Sequence, residues 1–208
     1  MNGITPKRTL AIGVTGGIGS GKSEVCTMFQ SLGGMYYSSD VIAKELMSTD
    51  PRIKRRINAL FGSSVYREDG TLDRKAMAKA IFSDDSLKEQ VNAIVHPIVI
   101  EYLLGVIEKA EASTTPAILF IESALIYDAE IEDLFDYIIL VVSDADRSIE
   151  RVMKRDSVPR TEVMQRRSAQ LPPDQHKEKA DFTIENNGDL ESLKSNCTFI
   201  YNLLAHLS

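Results

Sequence analysis

Only two cysteines, Cys26 and Cys197, occur in this chain of 208 residues. A pair of thiols so far apart is neither a disulfide framework nor a zinc or iron site, and it fits a reducing compartment. Long apolar runs are missing as well. The run from Leu10 to Val14 follows Lys7 and Arg8, but it is far too short for a signal-peptide core and leads straight into glycines. Nothing elsewhere approaches the roughly 18 apolar residues that suggest a membrane span. Positive charge is not in excess either: the formal net charge is −6, so nucleic acid or an anionic membrane would meet like charge. Any basic patch must be local, and no internal repeat or low-complexity tract is present. These exclusions predict a cytoplasmic protein with no nucleic-acid or membrane partner; a monomer or small homo-oligomer is the default expectation.

What is present is enough apolar material, 43% of residues against 26% charged, for one well-buried core with small appendages. Short apolar runs recur at Thr9–Thr15, Met35–Tyr37, Ala117–Ile121, Tyr137–Val142 and Asp181–Ile184, separated by segments of helical spacing. Such alternation predicts an α/β fold, a parallel five-stranded sheet flanked by helices. After the first strand, Val25, Met28, Phe29 and Leu32 fall on one helix face, and Gly33-Gly34 supplies the left-handed end.

The region between the second strand and Ala117 is longer than one crossover needs. It predicts helices near Val41–Met47, Arg74–Phe82, Leu87–Val95 and Ile98–Ala112, an insertion suited to holding a second substrate. Ser143–Lys179 is polar, arginine-rich and broken by Pro159 and Pro172-Pro173, the composition of a mobile lid. Leu190, Leu193, Cys197, Ile200, Leu203, Leu204 and Leu207 then form one stripe that should pack on the core. The division expected is core at 1–40, 116–143 and 180–208, a helical insertion at 41–115 and a lid at 144–179.

The most specific motif runs Gly16-Gly17-Ile18-Gly19-Ser20-Gly21-Lys22-Ser23, between the first strand and its helix. Glycines at 16, 19 and 21 let the backbone wrap phosphate oxygens where a Cβ would hinder it. The loop amides and the positive end of the helix then bind the anion. Lys22 reaches the β- and γ-phosphates as a point charge, and the Ser23 hydroxyl suits Mg²⁺. ATP with Mg²⁺ is the implied ligand, on Gly17, Ile18, Gly19, Ser20, Gly21, Lys22, Ser23 and the adjoining Glu24. A glycine-rich turn matching by chance would lack the flanking strand and helix. The loop alone does not separate a small-molecule kinase from a switch or a mechanical ATPase. An Asn-Lys-x-Asp guanine pattern is absent, which weakens the switch, and the chain is short for most motors.

In-line phosphoryl transfer also needs a carboxylate to orient or deprotonate the attacking hydroxyl. Asp40 ends the second strand, where ligands of a doubly wound sheet bind, although an aspartate there also suits a helix N-cap. Six arginines fall between Arg147 and Arg167, with Glu150, Asp156 and Glu162 interspersed, which by itself describes a solvated helical face. Arg151 and Arg155 lie four apart, so both project from one side of a helix and suit clamping phosphate when a lid closes.

Several further stretches, in their order and spacing, resemble dephospho-coenzyme A kinase over nearly the whole chain. They are the loop Thr15–Ser23, Asp40-Val41-Ile42-Ala43-Lys44, Asp69-Gly70-Thr71-Leu72-Asp73-Arg74 and His96-Pro97, then Arg151-x-x-x-Arg155-Asp156, Arg166-x-x-x-Gln170, Ala180-Asp181-Phe182 and Asn186-Asn187-Gly188. The resemblance implies a P-loop kinase fold with a helical acceptor-binding insertion and a lid. It implies transfer of the γ-phosphoryl group of ATP to the ribose 3′-hydroxyl of dephospho-coenzyme A, with Asp40 as the catalytic carboxylate beside Lys22, Arg151 and Arg155. It places Asp73, Arg74 and His96 on the acceptor side, where spacing alone gives helix starts, and Asn186 and Gly188 near the adenine. The chain departs from the family pattern at three points. Ser38 stands where the first aspartate of an Asp-x-Asp pair is usual, Glu122-Ser123-Ala124-Leu125 where a proline-leucine-leucine turn is common, and Glu24 where threonine is frequent. Glu122, ending the third strand, suits either the water around Mg²⁺ or a salt bridge at the lid hinge.

Overall fold

The computed structural model describes residues 7–82, 85–168 and 177–208. Five strands, β1 (Leu10–Thr15), β2 (Met35–Ser38), β3 (Ile118–Glu122), β4 (Tyr137–Val142) and β5 (Phe182–Glu185), form one sheet in the order β2-β3-β1-β4-β5. Every pairing is parallel, with Val14 opposite Glu122, Ser38 opposite Glu122, Thr15 opposite Leu140 and Val142 opposite Glu185. The expected strands are all present, each end within a residue of its apolar run. Because the strands run the same way, Thr15, Ser38, Glu122, Val142 and Glu185 all end on one edge, the side on which open α/β sheets bind ligands.

Alternation along the strands decides the two faces. Ile12 and Val14, Ile118 and Phe120, and Ile139 and Val141 pack with Val25, Cys26 and Phe29 of α1 (Lys22–Ser31) and with Leu193, Cys197, Ile200 and Leu204 of the C-terminal helix. Burying each such side chain contributes about 1.5–3 kcal/mol, so this layer dominates the stability of the core. Phe29 stacks on Phe120 with ring centroids 4.1 Å apart and planes 6° from parallel. Gly34 makes that stack possible, since a Cβ there would lie 2.5 Å from the Phe120 ring. On the opposite face Ile138 packs with Ile126 and Tyr127. Strand β1 is buried along its whole length, as a central parallel strand should be.

The chain divides into two compact units, Met1–Ser38 with Ile107–Ser208, and Ser39–Val106. The second holds α2 (Ser39–Thr49), α3 (Pro51–Phe61), α4 (Arg74–Phe82) and most of α5 (Asp85–Glu111). Helix α3 is not among the helices the spacing predicts. Its basic run, Arg52, Lys54, Arg55 and Arg56, outweighs a two-residue core contribution from Ile53 and Ile57. The start signal is nonetheless present: Pro51 occupies the first turn, and the Asp50 side chain accepts from the amides of Arg52 (2.7 Å) and Ile53 (3.3 Å).

The two helices predicted on either side of His96-Pro97 are one, α5, with Pro97 inside it. Proline has no N–H for the fourth carbonyl back, a local loss. Val91, Ile94, Val95, Ile98, Val99, Leu103 and Ile107, all buried at three- and four-residue spacing, outweigh that loss. Among the described residues α5 is the one helix long and apolar enough to cross a membrane by length and composition, a property no apolar run announced. Its buried residues recur at core-helix spacing, and Glu101 is exposed on the same helix.

In the first unit, α6 (Ala145–Asp156) and α7 (Arg160–Ser168) fill much of the arginine-rich stretch; Gln170 and Pro172-Pro173 lie outside the described residues. The last helix, α8 (Leu190–Leu207), starts on Asp189, whose side chain accepts from the Ser192 amide at 2.8 Å. Its stripe packs as expected through Leu193, Cys197, Ile200 and Leu204, but Leu190 and Leu207, in the first and last turns, are 61% and 44% exposed.

Candidate active site

The phosphate loop leaves β1 at Thr15 and enters α1 at Lys22. Its shape rests on glycine: Gly19 has φ 76° and Gly21 φ 96°, in the left-handed region that other residues enter only at a cost. Any Cβ on Gly19 would strike the Ser148 carbonyl, and one on Gly21 the Asn186 side-chain amide. Gly21 has no side chain to cap the first-turn amides of α1, so these face the loop as an anion site. The Lys22 ammonium folds over the loop and donates to the carbonyls of Gly16 (2.8 Å) and Gly17 (3.1 Å). Thr15 Oγ1 and Ser20 Oγ are buried hydroxyls without a hydrogen-bond partner among the described residues. Glu24, exposed in the first turn of α1, sits at the positive end of the helix dipole.

Three strand ends converge on this loop. From β3, Glu122 accepts a hydrogen bond from Ser23 Oγ on Oε1 (2.7 Å) and one from the Tyr36 hydroxyl of β2 on Oε2. Burial first, and then the Glu122 carboxylate, push the Tyr36 phenol well above its ordinary pKa, which keeps it protonated and a donor. The loop after β4 provides Ser143, and β5 is followed by Asn186, 3% exposed. The Asn186 amide donates to the Ser20 carbonyl at 2.9 Å. Arg151 of α6 reaches the same place. One guanidinium nitrogen donates to Ser143 Oγ (3.3 Å) and the Ser20 carbonyl (3.5 Å), the other to the Asn186 carbonyl (3.2 Å) and Oδ1 (3.3 Å).

The two arginines predicted to act from one helix side therefore part company. Arg151 is half-buried against the loop, while Arg155 is 63% exposed and paired with Asp156 at 2.7 Å. Arg166 also binds Asp156 (3.0 Å) and Glu162 (2.5 Å), and Arg160 binds Asp146 (2.5 Å). The Arg166–Asp156 and Arg160–Asp146 pairs link α6 to α7, two helices whose Ile149, Val152 and Val163 form an apolar cluster against which Ile18 of the loop packs. Asn186 was not legible as a loop brace, because its partners Ser20 and Arg151 lie far away in sequence. Asn187 braces the same edge, accepting from the Asp144 amide at 2.7 Å, and Gly188 leads into the cap of α8.

In the helical unit, Asp40 is exposed in the first turn of α2, two residues along the chain from the end of β2. Asp73 caps α4: its Oδ1 accepts from the amides of Lys75 (3.0 Å) and Ala76 (3.1 Å), and Arg67 lies 3.7 Å from Oδ2. The Ala76 hydrogen bond is the chief cause holding its carboxyl below the ordinary value, with Arg67 adding to it. Arg74 opens α4. His96 is half-buried in the middle of α5, and burial lowers its pKa.

A divalent cation fits the oxygen donors at the loop. Mg²⁺ prefers one or two protein oxygens together with phosphate and water to an all-protein cage. Among the described residues no group of three or more His, Cys, Asp or Glu could hold a metal by itself, whereas Ser23 and Glu122 present a hydroxyl and a carboxylate beside the anion site.

Comparison with known proteins gives the family. The sequence profile of the dephospho-CoA kinase family matches residues 10–192. A dephospho-CoA kinase of Bacillus licheniformis is 35% identical over 187 residues, covering 90% of this chain and 92% of the relative. A crystal structure from Thermus thermophilus superimposes with a TM-score of 0.78 at 31% identity, covering 97% of this chain and all of that one. The shikimate kinase of Acinetobacter baumannii, at 14% identity and a TM-score of 0.55 over 96% of this chain and 95% of that one, shares the P-loop kinase fold. With a glycine-rich loop, an adjoining lysine and serine, and a profile match along most of its length, the chain belongs to the dephospho-CoA kinase family.

Proposed function

We propose that the residues gathered at the carboxyl edge of the sheet divide the family's reaction as follows. ATP lies with its phosphates in the loop Gly16–Ser23, and Lys22 leaves the Gly16 and Gly17 carbonyls for the β- and γ-phosphates. Ser23, supported by Glu122, holds Mg²⁺ with the phosphates; when bound, the ion supplies neutralisation of the charge on the phosphate oxygens. Arg151 adds a guanidinium braced by Asn186, and Arg155 reaches the phosphates only by giving up Asp156. The turn Asn186–Gly188 borders the adenine.

The acceptor is dephospho-coenzyme A, with contacts from the helical unit that include Asp73, Arg74 and His96. Its ribose 3′-oxygen bonds to the γ-phosphorus as the bond from that phosphorus to the β,γ-bridging oxygen breaks. ADP leaves, and the hydroxyl proton passes to the Asp40 carboxylate. Support for Asp40 is its place on the chain directly after β2, with the Asp-Val-Ile-Ala-Lys stretch that begins there. The insertion 41–115 as acceptor domain and the stretch 144–179 as lid complete this assignment. The low cysteine content supports a cytoplasmic location, and the protein acts as a monomer or a small homo-oligomer.

The observation that carries the proposal is the loop itself: left-handed glycines, open helix amides, Lys22 and Ser23 at one strand end, in a chain whose family match is nearly complete. The test is ADP release with dephospho-coenzyme A measured against AMP, CMP, UMP and shikimate as acceptors. Dephospho-coenzyme A should exceed every other acceptor in kcat/KM; a preference for any of the others overturns the acceptor assignment.

A further inference from the structure

The hydroxyl of Ser23 has one proton to give and two lone pairs to offer. Its proton is already directed, toward Glu122 Oε1 at 2.7 Å, so the lone pairs are left for a cation. The direction of that proton depends on where the carboxylate stands. Glu122 is the last residue of β3, beyond the stiff part of the strand, and its second oxygen is held by the Tyr36 hydroxyl. Tyr36 itself is held by packing against the main core cluster, two residues before the end of β2.

Register makes this more than one contact. Ser38 is the cross-strand partner of Glu122 and Tyr36 that of Phe120, so all four side chains share the face that packs on α1. At the level of Ser38 the carboxylate comes from the neighbouring strand, and a tyrosine on β2 restrains it.

We propose that Tyr36 and Glu122 are positioning residues for the reaction: Tyr36 fixes Glu122, and Glu122 turns the Ser23 hydroxyl so that its lone pairs meet the nucleotide-bound Mg²⁺. The inference rests on the assignment of Ser23 to that ion. A positioning group at a metal site commonly affects metal affinity about 10-fold to 100-fold, whereas one hydrogen bond behind it changes less.

The test is calorimetric, with ADP titrated in EDTA and in excess MgCl₂. The quantity read is the gain in ADP affinity that Mg²⁺ confers. Glu122→Gln should reduce that gain about tenfold and Tyr36→Phe about threefold, while affinity in EDTA stays near wild type. Adding Ser38→Asp to Glu122→Gln should return most of the gain, because a carboxylate is restored at the paired position. A merely structural role for Tyr36 would lower the melting temperature and leave the Mg²⁺ gain untouched, and that result overturns the inference. So does an unchanged gain in folded Glu122→Gln. If the wild-type protein binds ADP with no gain from Mg²⁺, the assignment of Ser23 fails and the relay fails with it; a wild-type gain that the variants keep overturns the relay alone.

Discussion

The phosphate-loop edge and the helical unit Ser39–Val106 use the same kinds of side chain in opposite ways. At the loop, polar groups reach across the fold: Asn186 to Ser20, Arg151 to Ser143 and Asn186, Ser23 and Tyr36 to Glu122. In the helical unit, three aspartates serve their own neighbourhood. Asp50 and Asp73 cap the helices that follow them, and Asp69 closes a turn onto the Thr71 amide at 2.8 Å. A site for a triphosphate must be rigid before the ligand arrives, because donors aimed in advance need no reorganisation during the reaction. The difference teaches that the phosphate loop is braced by the sheet, while Asp73, assigned to the acceptor by family resemblance, also caps a helix.

The largest effects should come from the charges proposed to meet the transferring group. Lys22→Ala should lower kcat/KM about 10³-fold and raise the KM for ATP, since the ammonium binds both ground state and transition state. Asp40→Asn should lower kcat by about the same factor with ATP affinity within about twofold, because the cradle survives and the proposed base does not. Steady-state kinetics with a nucleotide-binding titration separates the two, and an unchanged kcat in Asp40→Asn would remove that residue from the chemistry.

The arginines sharpen the comparison within one helix. Arg151→Ala removes a guanidinium that braces Ser20 and Asn186, and kcat/KM should fall about 10²-fold. Arg155→Ala removes one that is paired with Asp156 in solvent, and the fall should be nearer tenfold. Equal effects from the two would show that Arg155 leaves Asp156 during turnover as readily as Arg151 serves the loop.

These contrasts also mark what sequence could show. The five strands and the loop were legible because each is a local pattern: an apolar run, a glycine where the chain must turn left-handed, a lysine and serine at fixed offsets. Helix α3 escaped because four basic residues dilute Ile53 and Ile57, and α5 read as two helices because a local penalty at Pro97 is visible while the tertiary burial outweighing it is not. The divergence of Arg151 from Arg155 is of the same kind. Spacing gives both the same side of a helix, but only the strand ends at Ser143 and Asn186 decide which one is received. The pairing of Ser38 with Glu122 depends on sheet order, which brings β3 between β1 and β2.

The smallest expected effect tests whether Asp73 has any duty beyond its cap. Asp73→Asn keeps an oxygen for the amides of Lys75 and Ala76 and removes the charge. The native carboxyl is held below its ordinary value, first by the Ala76 hydrogen bond and against the opposing effect of burial, with Arg67 nearby. A depressed folded-state pKa means that the charge contributes stability above the unfolded value, near pH 4, and that this contribution disappears as pH falls through the folded value. The wild-type advantage in melting temperature over Asp73→Asn should therefore be small and flat at neutral pH and should shrink in acid. A difference that grew in acid would assign the depression to another group. The KM for dephospho-coenzyme A, measured on the same variant at neutral pH, should rise a few-fold if the charge also meets the acceptor; with KM unchanged and the acid dependence present, Asp73 is a helix cap and the acceptor contacts lie elsewhere in the unit.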